Sequence, residues 1–167
     1  MIPPELARRL KAVSEALRGF PFVVLVWGPG GTTDSPARRK RIRVREEIKA
    51  VVGEGYALFS EDMPEQGLEA EYTQALAADA VILIPESPGS LVEAALFHED
   101  LRGKSIVFAE RREHPGFAEH AYATLKVEYV EPEEWEDCGR VRRKARQFVE
   151  ALRFSKFRRE RARFDWE

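Results

Sequence analysis

Residues 22–36 read FVVLVWGPGGTTDSP. Six apolar residues in an unbroken run, Phe22 to Trp27, suit a strand covered on both faces, since a half-exposed strand would alternate. A glycine-rich turn follows, and Ser35 with Pro36 is a helix-starting pair, the hydroxyl as cap and the proline in the first turn. Strand, glycine loop and helix in that order open a β-α-β unit, which implies the same alternation along the rest of the chain.

The alternation continues. Ahead of the run, a helix is expected over about 3–18. Behind it, a helix over about 36–52 precedes the short strand YALF (56–59), set off by Gly53 and Gly55. A loop and a helix at about 68–77 follow, with Leu68, Tyr72 and Leu76 on one face. AVILI (80–84) is the second strong apolar strand. Next come a helix over about 90–101, the strand SIVFA (105–109), a charged loop at 110–122, the strand LKVEYV (125–130) and one long basic helix over about 133–157. The expectation is a three-layer α/β fold of Rossmann-like, flavodoxin-like type. It has a parallel five-stranded sheet and extra helices at the N- and C-terminal ends. The 167 residues form a single domain, with an α/β core over 20–132 and a basic helical extension over 133–167.

Composition narrows the function classes. Hydrophobic residues make up 44% and charged residues 34%, as in an ordinary globular chain, and no apolar run reaches the roughly 20 residues of a membrane span. The N-terminal stretch is an amphipathic helix pattern without the apolar centre of a signal peptide. Cys138 is the single cysteine, which excludes an internal disulfide and makes a reducing cytoplasm the default setting. His98, His114 and His120 have no metal-binding spacing, so no metal and no cofactor are expected. The net charge of −2 conceals an asymmetry: residues 140–163 carry eleven Arg or Lys against Glu150 and Glu160, +9 locally, leaving −11 for the rest. Such a helix can contact nucleic acid, an acidic partner, or the chain's own acidic body.

In parallel α/β sheets, ligands bind outside the carboxyl ends of the strands, at the point where strand order reverses. That rule selects four loops: 28–36, 60–67, 85–90 and 110–122. In the first, Gly28, Gly30 and Gly31 match neither a phosphate-binding Walker loop nor a G-x-G-x-x-G fingerprint. Their backbone N–H groups could still hold a phosphate or a ribose. In the second, Glu61 and Asp62 stand where an acid contacts ribose hydroxyls, although aspartate is also an ordinary turn residue. In the third, Ser87, Gly89 and Ser90 lead into a helix start that carries Glu93 among Leu91, Val92, Ala94 and Ala95. Ser90 and Glu93 also satisfy the S-x-x-E capping box, so a purely structural role is open beside a chemical one.

Asp79 before AVILI, a short loop, and then Gly89-Ser90-Leu91-Val92-Glu93 resemble the G-[ST]-x-x-E signature of nucleoside 2-deoxyribosyltransferase-like proteins. The related P-G-G-x-G-T-x-x-E of the cytokinin-activating phosphoribohydrolases is echoed in Pro88-Gly89-Ser90 and Glu93. The resemblance covers about residues 22–110. It implies a carboxylate, Glu93, that attacks or stabilises the anomeric carbon of a nucleoside or nucleotide sugar, with Asp62 binding a ribose hydroxyl or assisting proton transfer. Gly28, Gly30, Gly31, Ser87, Gly89 and Ser90 would line the substrate site, and the chain would assemble as a homo-oligomer. The chain departs from the first family at Ser87, where an aspartate is expected, and from the second in lacking the Gly-Gly ahead of its G-T. Three classes are therefore open: an N-glycosidase or transferase acting on a nucleoside, nucleotide or NAD-like substrate; a nucleotide sensor with the same pocket; and a nucleic-acid adaptor working through the basic helix.

Overall fold

The computed structural model describes residues 2–30, 34–85, 98–111 and 125–164. Five strands, β1 (Val24–Trp27), β2 (Ala57–Leu58), β3 (Ala80–Leu83), β4 (Ser105–Glu110) and β5 (Lys126–Val130), form one all-parallel sheet in the order β2-β1-β3-β4-β5. The helices are α1 (Pro4–Arg18), α2 (Pro36–Val52), α3 (Leu68–Ala77), α4 (His98–Leu101), α5 (Pro132–Asp137) and α6 (Gly139–Phe164). This is the three-layer, doubly wound architecture expected from the sequence.

Side-chain alternation divides the strands between two cores. Val24, Val26, Ile82, Ile84, Ile106 and Phe108 face Ala37, Val44 and Ile48 of α2 and Val141, Ala145 and Val149 of α6. Leu25, Trp27, Val81, Leu83 and Val107 face Ala75 of α3 and Leu101 of α4. Every residue of β1 and β3 is buried, which accounts for their continuous apolar runs. Trp27 belongs to this second core and is packed against it. On α3, Ala75 is buried and Tyr72 packs on the sheet, whereas Leu68 and Leu76 are exposed. The face shared by these three residues is thus only partly covered.

The start of α2 follows its sequence signals: Ser35 Oγ accepts from the Arg38 amide at 3.1 Å and Pro36 takes the first helical position. The long C-terminal helix is corrected by the structure. It is two helices, broken at Cys138, which takes left-handed backbone angles (φ 62°) and ends α5. The second of them runs on to Phe164, well beyond 157. Apolar periodicity passes through this junction undisturbed, and only Gly139 beside it hints at a break.

Candidate functional site

β1 and β3 are neighbours in register, Trp27 opposite Leu83, and the chain reverses its strand order between them. The two segments leave the sheet side by side: the Ile84 amide donates to the Trp27 carbonyl at 2.9 Å. A small crevice of about 50 Å³ opens there, lined by Trp27, Gly28, Ser60, Glu71, Leu83, Ile84 and Pro85. Its place at the carboxyl ends of the strands is the one the topology assigns to a ligand. Gly28 is required by the closeness of this approach. A Cβ at that position would lie 2.7 Å from the Ile84 carbonyl oxygen and 3.2 Å from Cδ of Arg41.

The floor of the β1–α2 loop is Arg41. Its side chain is 2% exposed. Nε donates to the Val26 carbonyl at 2.9 Å and Nη1 to the Pro29 carbonyl at 3.2 Å. Nη1 and Nη2 also donate to the two Glu61 carboxylate oxygens, at 2.7 and 2.6 Å. The guanidinium further stacks over the Phe59 ring at 3.9 Å, and Arg45 stacks on the same ring at 3.6 Å. A planar fork with five donors is the side chain that can serve two carbonyls and a carboxylate at once. Gly30 lies against this pair; a Cβ there would approach Glu61 Oε1 to 3.2 Å. The glycine loop is therefore seated on an ion pair that ties α2 to the end of β2.

Glu61 and Asp62 point to different tasks. Burial by itself would raise the Glu61 carboxyl, but hydrogen bonds from Arg41 and from the Glu61 amide, together with the Arg41 charge, outweigh it and hold the group below the usual glutamate range. Asp62 turns back on its own turn: Oδ2 accepts from the Phe59 amide at 2.8 Å and from Arg45 Nη1 at 3.1 Å. Its carboxylate thus caps the 60–62 turn and pairs with α2.

Of the substrate-site residues expected from the sequence, Gly28 and Gly30 come together over Arg41 and Glu61, and Gly28 lines the crevice with Ser60. Gly31, Ser87, Gly89, Ser90 and Glu93 lie outside the described residues, as do His114, His120 and most of the helix expected at 90–101. Arg41 was hidden in the run ARRKRIR, although a signal existed. Ala37, Arg41, Val44 and Ile48 share the buried face of α2, and a charge on such a face needs a partner.

Much of the basic C-terminal helix is directed at its own body. Arg140 pairs with Glu134, Lys144 with Glu128, Arg146 with Glu47 and Glu150, and Lys156 with Asp79. Arg153 is buried and donates to the carbonyls of Val51, Arg18 and Phe20. Among the described residues, no group of three or more His, Cys, Asp or Glu could hold a metal ion, and no helix is long and apolar enough to cross a membrane.

The fold defines a class, the doubly wound parallel α/β proteins. No family model, curated protein or solved structure matches the chain.

Proposed function

We propose that the protein cleaves or transfers an N-glycosidic bond in a nucleoside, nucleotide or NAD-like substrate, with Glu93 as the carboxylate at the anomeric carbon. One observation supports the reading: the chain that leads to Glu93 leaves β3 beside the start of the glycine loop, with the Ile84 amide bonded to Trp27 at the end of β1 and Gly28 lying against the Ile84 carbonyl, at the switch point. Breaking an N-glycosidic bond builds positive charge on the sugar, which an ionised carboxylate stabilises or traps covalently. The β1–α2 loop over Arg41 and Glu61 would form the wall that orients the sugar. Arg41, itself fixed by its fork to Glu61, holds the Pro29 carbonyl, so the Gly28–Gly30 part of that loop is preorganised. Asp62, as a cap, would support the turn carrying Ser60, in addition to any contact with a hydroxyl.

The test is chromatographic detection of free base after incubating the purified chain with a panel of nucleosides, 5′-monophosphates and NAD. Release from at least one class is expected. Absence of release across the panel, with ligand-induced stabilisation by one member, would assign the site to binding without turnover.

A further inference from the structure

None of the fifteen residues of α1 is buried, although its sequence is strongly amphipathic. The helix is attached to the body near its C-terminal end. Arg153 donates to the Arg18 and Phe20 carbonyls at 2.8 and 3.0 Å, and Phe20 meets Phe157 edge to face at 5.4 Å. An isolated helix of this length is marginal in water, so its apolar face needs a cover. That face is Leu6, Leu10, Val13 and Leu17, at spacings of four, three and four, the pattern of a coiled-coil seam. It continues into an apolar groove of about 440 Å³ between α1 and α6, lined by Ala12, Val13, Ala16, Phe20 and Phe157, with Glu160 and Arg161 at its rim.

We propose that the occupant of this face is α1 of a second copy of the chain, packed antiparallel about a two-fold axis. The seam is self-complementary in that arrangement. Leu6 falls opposite the partner's Leu17 and Leu10 opposite the partner's Val13, so each half of the seam meets the other half. The flanking positions Ala7, Ser14 and Ala16 are small and allow close approach. The N-terminal half of the partner helix then lies along the groove.

The area is adequate. Ile2 is 61% exposed, Leu6 47%, Leu10 54% and Val13 38%. At about 200 Å² per large side chain these fractions amount to on the order of 400 Å² of apolar surface per copy. That is the apolar centre of an interface of about 800 Å² per partner, once a polar rim is added.

The experiment is sedimentation equilibrium on the full chain at micromolar concentration, for the wild type and for Leu10→Glu. The wild type should have twice the monomer mass of 19.1 kDa. Leu10→Glu should weaken the dimer at least ~100-fold, because each two-fold interface contains the substitution twice. Its circular dichroism spectrum should keep the fold, since Leu10 is exposed in the monomer, and its melting temperature should match that of wild type diluted until it is monomeric. As an independent readout, a mixture of Leu10→Cys and Val13→Cys chains should form a disulfide-linked dimer under mild oxidation. Cys138 is buried and should not compete. A monomeric wild type overturns the proposal, as does a dimer that Leu10→Glu leaves intact or a mixture that fails to cross-link.

Discussion

Replacing Arg41 by Met removes the fork beneath the glycine loop while keeping an apolar stem of similar reach. Two carbonyls, those of Val26 and Pro29, lose a charged donor at a buried position, each costing about 1 kcal/mol. Loss of stacking on Phe59 costs about 1 kcal/mol more. The Glu61 pair contributes less than a fully buried pair would, because the Glu61 side chain is 43% exposed and rehydrates, so about 1 kcal/mol is its upper share. Against this, a buried methionine avoids the desolvation of a guanidinium, which returns about 1 kcal/mol. The net expectation is a destabilisation of ~2–3 kcal/mol, read as a fall of about 1 M or more in the urea midpoint. Arg41→Lys should fall between Met and wild type, since an ammonium cannot serve two carbonyls and both oxygens. In a double-mutant cycle with Glu61→Gln, the two losses should be smaller together than their sum by ~1 kcal/mol. A change below ~0.5 kcal/mol for Arg41→Met, or strict additivity with Glu61→Gln, would refute this account of the loop.

Three further outcomes follow from named contacts. Because the folded Glu61 carboxyl titrates below its unfolded value, its contribution is complete above the ordinary glutamate pKa of about 4.3 and is lost as pH falls through the folded value. The urea midpoint of the wild type should therefore drop more steeply under acid than that of Glu61→Gln, and parallel pH profiles would contradict the pairing. Gly28→Ala should cost ~1–3 kcal/mol in the same assay, since the new Cβ meets the Ile84 carbonyl at 2.7 Å and the backbones of β1 and β3 must separate. Asp79→Asn should lower the melting temperature by a few degrees, because Asp79 accepts from the Val23 amide and pairs with Lys156 at 2.7 Å. That loss, about 1 kcal/mol, should shrink in high salt.

Much of the fold could be read from local pattern. Phe22–Trp27 and Ala80–Ile84 are continuous apolar runs because both faces of the central strands are covered, and Ser35-Pro36 marks the start of α2 to the residue. The break at Cys138 could not be read, because the left-handed residue is not a glycine and the apolar repeat continues across it. The site was half legible. Glycines at the end of a first strand and acids at the end of a second are conspicuous. Which acid meets the loop depends on where α2 brings Arg41, a tertiary fact that favours Glu61 over its neighbour Asp62. The excess charge of α6 was conspicuous too. Its partners Glu47, Asp79 and Glu128 are distant in sequence, so only the fold shows that much of it is neutralised at home.

The central claim is most directly tested by turnover and binding of Glu93→Gln, on whichever substrate class the wild type hydrolyses. If Glu93 is the carboxylate at the anomeric carbon, base release should fall by at least ~100-fold while ligand affinity and melting temperature stay near wild type, as expected on losing a nucleophile. Undiminished base release, or a loss of activity matched by an equal loss of stability, would make Glu93 a helix cap and contradict the proposed chemistry.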